Sequence, residues 1–323
     1  MEKLLLEIKN LQKRYPLYGA LGKMFPPKNH VKAVADVSLQ IYEGETYGLV
    51  GESGCGKTTT GRSVLGLVKP DGGEILYDGK DLTKLKDKEY LPFRKDIQMV
   101  FQNTLASMNP RTRIGEQMEE PMIIQKMGDP KTRREKVLEM LKMVGLSEEH
   151  YFRYPHELSG GQVQRLGIAR ALIIEPKLII CDEPVSALDV SIQAQILNMM
   201  TELQKKMNLS IFFISHDISV VRYISNRIGV MYLGTLVEEA ETEELFAHTM
   251  HPYTLALFES VPDIKKEKTK MTIKGELPVY TDDFKGCVFH TRCPKACDKC
   301  RECAPQLREV RLGHKVACHF CEE

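Results

Sequence analysis

The stretch GESGCGKTTTGRSVLGL, Gly51 to Leu67, decides the fold of this chain. Three of its first six residues are glycine, and a lysine and a run of threonines follow, immediately before a helical pattern. A glycine-rich turn exposes successive backbone N–H groups that converge on an anion, and the following helix directs the positive end of its dipole to the same point. The stretch therefore predicts a phosphate-binding loop.

The spacing of this loop is that of a nucleotide-binding site. Gly51, Gly56, Lys57 and Thr58 match the pattern G-x-x-x-x-G-K-[ST], and the apolar run ETYGLV precedes it as a strand. In this interpretation Lys57 contacts the β- and γ-phosphates of ATP, and the Thr58 hydroxyl coordinates Mg²⁺. A structural glycine turn is the alternative. The other loop residues predicted to bind the nucleotide are Ser53, Gly54, Cys55 and Thr59. No base is recognisable beside the Cys55 thiol, so no nucleophilic role is predicted for it.

Composition places the chain among ordinary globular proteins. Its 323 residues are enough for two domains, and they are 42% hydrophobic and 28% charged. Lys and Arg total 45 against 44 Asp and Glu, so there is no bulk positive field and no nucleic-acid partner is predicted. No apolar run approaches the roughly 18 residues that a membrane-spanning helix needs. The apolar run within the N-terminal stretch MEKLLLEIKN is too short for a signal peptide. We expect a cytosolic protein with reduced thiols.

Periodicity predicts strands around the phosphate loop and helices after it. LLLEIKNLQKRY and HVKAVADVSLQIYEGETYGLVG alternate as half-buried strands, with a turn at Glu43-Gly44, and GGEILYDGKDL reads as a hairpin turning at Asp78-Gly79. Apolar residues at helical spacing between Arg111 and Tyr154 predict a helical insertion. The runs KLIICDEP and SIFFISHD predict buried parallel strands with helices between them. A lysine- and proline-rich linker is predicted from Pro262.

Two further elements carry candidate chemistry. KLIICDEP delivers Asp182 and Glu183 at the carboxyl end of a strand, where ligands bind in α/β sheets. We expect Asp182 to hold Mg²⁺ and Glu183 to polarise the attacking water, although two such acids can also form a solvated edge.

LSGGQVQRLGIARAL places Ser159, Gly160, Gly161 and Gln162 at the start of an amphipathic helix, which is a second anion-binding helix end. Since the chain has one glycine-rich loop, the second end is predicted to serve the nucleotide of a neighbouring subunit.

Together, the phosphate loop, LSGGQ and the strand ending in Asp-Glu resemble the nucleotide-binding subunit of ATP-binding-cassette (ABC) transporters. The resemblance implies an α/β P-loop NTPase core with an antiparallel β subdomain and a helical subdomain at about 104–158. It also implies roles for Gln102 at Mg²⁺ and the attacking water, Asp189 at the dimer interface, and His216 at the γ-phosphate. A buried, hydrogen-bonded histidine is the alternative for His216. Tyr15 resembles the aromatic residue that stacks on adenine, with Tyr18 as an alternative.

Other stretches resemble the ATPases of dipeptide and oligopeptide importers over nearly the entire chain: VKAVADVSLQIYEGETYGLVG, QNTLASMNPR, SALDVSIQAQILNMM and HPYTLAL. The expected domains are 1–260, the nucleotide-binding domain, and 261–323, a C-terminal extension. Seven of the nine cysteines lie between Cys287 and Cys321. By resemblance, Cys287, Cys293, Cys300 and Cys318 hold an iron–sulfur (4Fe-4S) cluster; Zn²⁺ and unmetallated thiols are the alternatives. Cys297, Cys303 and Cys321 leave the ligand assignment open.

The resemblance also predicts partners and a location. We expect a second homologous ATPase subunit, identical or different, together with two transmembrane permease subunits and, indirectly, an extracellular substrate-binding protein. The chain is then peripheral to the cytoplasmic side of the cell membrane and hydrolyses ATP to import di- or oligopeptides. Alternatives are importers of nickel or sugars, soluble ABC ATPases acting on DNA or ribosomes, and a redox or metal sensor.

Overall fold

The computed structural model describes residues 3–18, 29–259 and 277–321. Outside these ranges lie residues 19–28, most of the linker predicted from Pro262 and the domain boundary predicted at 260–261. Numbered along the chain, the strands are β1 Leu4–Leu17, β2 Asn29–Tyr42, β3 Thr46–Val50, β4 Gly72–Tyr77, β5 Lys80–Asp81, β6 Ile97–Val100, β7 Leu178–Asp182, β8 Ser210–Ser215, β9 Arg227–Tyr232, β10 Thr235–Glu241, β11 Arg308–Arg311 and β12 His314–Val316. The helices are α1 Lys57–Val64, α2 Asp87–Tyr90, α3 Phe93–Asp96, α4 Ile114–Ile124, α5 Pro130–Met143, α6 Gly160–Leu172, α7 Val190–Met207, α8 Ile218–Ile224, α9 Thr242–Ala247, α10 Pro252–Glu259 and α11 Asp298–Glu302.

The chain divides into two compact units. The first contains Met1–Tyr42, Thr46–Lys84 and Ile214–Glu323, and the second contains Glu43–Glu45 and Leu85–Phe213. The C-terminal extension therefore belongs to the same unit as the phosphate loop. No helix in the described ranges is long and apolar enough to cross a membrane.

The first unit is built on a sheet in the order β5-β4-β1-β2-β10-β9-β3. Strand β1 pairs antiparallel with both β2 and β4, which confirms the predicted antiparallel β subdomain. Strands β3 and β9 run parallel, and β12 joins the outer part of β10 antiparallel. Leu6, Ile8 and Leu11 of β1 are buried, as the alternating pattern requires. The predicted hairpin is confirmed: Tyr77 pairs with Lys80 across the Asp78-Gly79 turn.

The apolar runs KLIICDEP and SIFFISHD form the predicted buried strands, β7 and β8. Strand β7 is buried along its whole length and pairs parallel with β6, and β8 is also fully buried. The predicted helical insertion is present as α4 and α5, followed by a 3₁₀ turn at Glu148–Phe152. Asp129, the residue before α5, caps the helix, because its side chain accepts a hydrogen bond from the Thr132 N–H at 2.8 Å.

Candidate functional site

The phosphate loop connects β3 to α1, and Lys57 is the first residue of the helix. The Lys57 ammonium folds back into the loop, where its Nζ donates to the carbonyl oxygens of Gly51 at 2.7 Å and Glu52 at 3.0 Å. Lys57 is only 3% exposed. These two hydrogen bonds fix a buried positive charge within the loop, beside the amino end of α1, whose dipole has the same sign.

Glycine is required in this loop for two different reasons. Gly54 and Gly56 both have positive φ angles, +82° and +108°, a region that residues with a Cβ rarely adopt. A Cβ at Gly56 would also lie 2.0 Å from the carbonyl oxygen of Ala33, whereas among the described residues a Cβ at Gly54 meets nothing within 4 Å. The Gly56 position therefore cannot hold a side chain without moving backbone, while Gly54 needs only its conformational freedom.

The remaining loop residues differ in exposure. Ser53 and Gly54 are exposed, and Thr58 and Thr59 are half-buried in the first turn of α1. The Cys55 side chain is buried 3.8 Å from Lys57 Nζ, and burial raises the pKa of its thiol. A buried thiol with a raised pKa stays protonated and is a poor nucleophile.

In the second unit, the structure brings together two of the predicted catalytic residues. Gln102 follows β6, and Glu183 follows Asp182, the last residue of β7. Because β6 and β7 are parallel neighbours, their carboxyl ends meet at one edge of the sheet. Gln102 Nε2 donates a hydrogen bond to Glu183 Oε2 at 2.8 Å. Asp182 is 1% exposed, so the two acids occupy different environments.

Glu183 has an unusual backbone conformation. Its φ is +48°, in the left-handed region that costs a residue other than glycine on the order of 1 kcal/mol. The carbonyl oxygen of Glu183 accepts hydrogen bonds from the Ser186 N–H at 3.4 Å and the Ser186 hydroxyl at 3.1 Å. The tight turn that results directs the chain sharply away from the end of β7. A residue other than glycine keeps this conformation only where the surrounding structure imposes it, so the direction of the Glu183 side chain is closely determined.

The LSGGQ stretch forms the predicted helix start. Ser159 precedes α6, its hydroxyl accepts from the Gln162 N–H at 3.4 Å, and Gln162 Oε1 accepts from the Ser159 N–H at 3.0 Å. Gln162 Nε2 also lies 3.2 Å from Nε2 of His150, a buried residue in the 3₁₀ turn after α5. Ser159 and Gly160 are exposed. Sequence reasoning missed His150, whose only signal is its spacing from Ser147 as in a helix-capping pair.

The other predicted nucleotide contacts are on the surface of their units. Asp189 is exposed at the start of α7, where its carbonyl oxygen accepts from the Gln193 N–H at 2.9 Å. His216 follows β8 and is exposed, so the alternative of a buried histidine is wrong. Tyr15 on β1 is 41% exposed with Lys13 Nζ 5.5 Å from its ring centre, and Tyr18 is 36% exposed. Exposure leaves both tyrosines as candidates for adenine stacking.

The C-terminal cysteines do not form a metal site here. In residues 3–18, 29–259 and 277–321, no group of three or more His, Cys, Asp or Glu side chains is arranged so that it could hold a metal ion. The predicted iron–sulfur cluster and its zinc alternative are therefore not supported. The sulfurs of Cys297 and Cys300 lie 3.6 Å apart, which pairs Cys300 with a cysteine outside the predicted set of four.

The predicted cysteine ligands differ in the pKa of their thiols. Burial raises the pKa of Cys287 to about 11, and burial also raises the pKa values of Cys293 and Cys300. A hydrogen bond from Cys321 lowers the pKa of Cys318 to about 6. Cys287, Cys293 and Cys300 therefore favour the thiol form more strongly than a free cysteine does.

A buried ion pair attaches strand β12 of the C-terminal extension to strand β10. His314 of β12 has Nε2 2.9 Å from Glu238 Oε1 of β10 and Nδ1 3.3 Å from Glu244 Oε1. The His314 and Glu238 side chains are both fully buried. Burial by itself lowers the pKa of His314. The hydrogen bonds to the carboxylates of Glu238 and Glu244 raise this pKa by more than burial lowers it, so the net shift is upward. Arg311 and His248 also face Glu244, at 3.4 and 2.9 Å.

This pair predicts a pH dependence of stability. The charged form of His314 stabilises the fold fully below the unfolded pKa of about 6.5, and this contribution is lost as the pH rises through the raised folded pKa. We expect the free energy of unfolding of His314→Gln, measured with urea, to fall below wild type at pH 6, by an amount that shrinks toward high pH. His156→Gln, at an exposed histidine, is the control. A pH-independent difference for His314→Gln would contradict the assignment.

Comparisons with known proteins agree on one family. The chain matches the descriptions "ABC transporter" over residues 34–186 and "Oligopeptide/dipeptide transporter, C-terminal region" over residues 237–300. It is 50% identical over 322 residues to the oligopeptide transport ATP-binding protein AppF of Bacillus subtilis, covering 98% of this chain and 97% of that protein. It is 49% identical over 324 residues to the oligopeptide transport ATP-binding protein OppF of Escherichia coli, covering 98% and 96%.

The fold has solved counterparts. The structure described as the dimeric structure of a bacterial ABC transporter cassette aligns with a TM-score of 0.66 and 32% sequence identity. The alignment covers 74% of this chain and 99% of that one. The α/β P-loop NTPase prediction is therefore confirmed.

Proposed function

The chain belongs to the ATP-binding proteins of ABC transporters, in the branch with an oligopeptide/dipeptide transporter C-terminal region, and we propose that it hydrolyses ATP to power the import of di- or oligopeptides through a membrane permease. One observation carries the proposal. Relatives named as oligopeptide transport ATP-binding proteins match 98% of the chain, so the resemblance includes the extension as well as the nucleotide-binding part.

ATP binding is assigned first to the phosphate loop. In our proposal, backbone N–H groups of Ser53 to Thr59 surround the β-phosphate, and the Lys57 ammonium exchanges its bonds to the Gly51 and Glu52 carbonyls for phosphate oxygens. Both carbonyls are uncharged, so the exchange gives Lys57 a stronger, charge-assisted partner. Tyr15 supplies an exposed ring for adenine.

The donor set suits Mg²⁺. The Thr58 hydroxyl, the Asp182 carboxylate and the Gln102 amide oxygen are all hard oxygen donors, the type that Mg²⁺ prefers. Bound Mg²⁺ would neutralise charge that develops on the phosphate oxygens. Glu183 is assigned as the general base that takes a proton from the attacking water, and the hydrogen bond from Gln102 orients its carboxylate. His216 is assigned to the γ-phosphate.

A second ATPase subunit completes the proposed cycle. In this proposal the start of α6, Ser159 to Gln162, presents backbone N–H groups to a nucleotide held by the partner. Ser159 and Gly160 are exposed there, and Asp189 is assigned to the same interface. The partner is an identical or related chain. Two permease subunits span the membrane, a separate extracellular protein delivers the substrate, and this chain binds at the cytoplasmic side as a peripheral subunit.

Co-purification tests the partners. We expect a tagged chain, isolated from detergent-solubilised membranes, to bring with it multispanning permeases and a second ABC ATPase. Recovery with ribosomes or DNA alone would instead support a soluble ABC ATPase and reverse the proposal.

Uptake tests the cargo. Cells that lack the chain should lose uptake of labelled di- or oligopeptides and regain it when the chain is restored. Loss of nickel or sugar uptake, with peptide uptake intact, would assign a different cargo to the same ATPase.

The ligand of the C-terminal cysteines stays a prediction. Absorption spectra of anaerobically purified protein, with metal analysis, separate the alternatives. Broad visible absorption with bound iron would support the iron–sulfur cluster, and a colourless protein with one zinc per chain would exclude it.

A further inference from the structure

The C-terminal extension reaches the phosphate loop directly. Arg292 Nη1 donates a hydrogen bond to Glu52 Oε2 at 2.8 Å, and Glu52 is the residue that follows Gly51 in the loop. Arg292 and Glu52 are 240 positions apart and belong to the same compact unit. Their side chains are 9% and 27% exposed, so the ion pair is largely shielded from water. A shielded pair is screened less by salt than a surface pair.

Glu52 is held through its N–H, its carbonyl oxygen and its carboxylate. Its N–H donates to the Tyr253 hydroxyl at 2.9 Å, its carbonyl oxygen accepts from Lys57 Nζ at 3.0 Å and from the Cys55 N–H at 3.3 Å, and its carboxylate binds Arg292. Two of these four partners, Tyr253 and Arg292, come from outside the loop. The backbone of the loop beside the predicted phosphate position is therefore fixed by α10 and by the extension.

Arg292 is itself fixed by an aromatic cluster of Tyr232, Tyr253 and Phe289. The three rings are buried, and their centres lie 4.7 to 5.5 Å apart. Arg292 donates to the Tyr232 hydroxyl at 3.3 Å, and its guanidinium lies 5.9 Å from the Tyr232 ring centre. Phe289 and Arg292 share one turn, because the Arg292 N–H donates to the Phe289 carbonyl at 3.0 Å. Burial of Phe289 therefore holds the Arg292 guanidinium beside Glu52 of the phosphate loop.

We propose that Arg292 is a positioning residue for ATP binding, which neutralises the Glu52 carboxylate and holds it away from the phosphates. The proposal rests on the proposed ATPase function. An unpaired carboxylate in a phosphate-binding loop would repel the highly negative triphosphate, and the repulsion would be strong because the site is partly shielded from water. Burial lowers the pKa of Arg292, but the hydrogen bonds to Glu52 and Tyr232 raise it overall, so the guanidinium stays charged.

A charge-removal cycle tests the proposal in the co-purified complex. We expect Arg292→Gln to raise the KM for ATP about tenfold, which corresponds to about 1.4 kcal/mol, with kcat at saturating ATP within about twofold of wild type. Adding Glu52→Gln removes the repelling charge, so the double variant should return to within about threefold of the wild-type KM. Arg301→Gln, at an exposed arginine of α11 in the same extension, is the matched control and should leave KM unchanged.

Each outcome decides the question. A wild-type KM in Arg292→Gln, or a double variant whose KM is more than about threefold above wild type, would overturn the proposal, because a loss of affinity that Glu52→Gln does not relieve does not come from the Glu52 charge. If Arg292→Gln alone does not fold, the KM for ATP of the double variant still tests the proposal, because the proposal requires it to lie within about threefold of wild type. Thermal unfolding of every variant identifies loss of structure. If wild type itself hydrolyses no ATP, the proposed function fails, which is distinct from failure of the Arg292 role.

Discussion

Glu183→Gln is expected to lower the rate of ATP hydrolysis by at least about 100-fold while ATP still binds. The amide has nearly the same shape as the carboxylate, and Gln102 Nε2 can still donate to its oxygen as it does to Glu183 Oε2 at 2.8 Å. An amide cannot take a proton from water, so only the chemical step is lost. ATP should then accumulate in the complex and keep the ATPase dimer closed.

Phosphate release in the steady state measures turnover, equilibrium dialysis measures bound ATP, and light scattering reports the dimer. Glu202→Gln is the matched control, because Glu202 is an exposed glutamate of α7 in the same unit. Near wild-type turnover in Glu183→Gln would refute the assignment of the general base. Loss of ATP binding would instead indicate that Glu183 contributes to binding rather than to the chemical step.

Gly56→Ala should abolish ATP binding and lower the free energy of unfolding by roughly 3 kcal/mol. The alanine Cβ would lie 2.0 Å from the Ala33 carbonyl oxygen and 2.8 Å from the Met231 Cε. The φ of +108° adds backbone strain to this clash. Since Gly56 is the residue immediately before α1, relief of the clash must displace the amino end of the helix, beginning with Lys57.

Gly54→Ala separates the effect of the steric clash from the effect of backbone strain. Gly54 has a similar positive φ of +82°, but a Cβ there meets no described atom within 4 Å. We expect a loss of only about 1 kcal/mol and an ATP affinity that weakens less than tenfold. Urea unfolding and ATP binding of both variants provide the measurement. Equal effects at the two positions would show that the clash at Gly56 is not what disables the loop.

Local sequence predicted the elements that depend on neighbouring residues. The phosphate loop, the Asp78-Gly79 hairpin, the Ser159 helix start and the buried run that became β7 are each confirmed as structural elements. Glycine conformations, capping bonds and apolar periodicity act over a few residues, so a linear pattern records them. The resemblance to ABC transporters rests on those same short stretches in their order.

The metal prediction shows where such reasoning ends. Resemblance to the importers' C-terminal extension named Cys287, Cys293, Cys300 and Cys318, but the Cys300 sulfur lies 3.6 Å from that of Cys297, which is outside this set. Spacing gives the ligands that a chain has available, whereas ligation depends on whether their side chains converge on one point, and no such group is present in the part of the chain that the structure describes.

The sequence by itself determined the nucleotide-binding chemistry, the strand and helix pattern, and the family, because each is written in residues close together in the chain. Only the tertiary structure decided which distant residues are in contact around these elements: His150 with Gln162, Gln102 with Glu183, and Arg292 with Glu52. Pairing of parallel strands and burial of aromatic rings bring these partners together. Such contacts depend on how the chain packs, and one sequence carries no local signal of them.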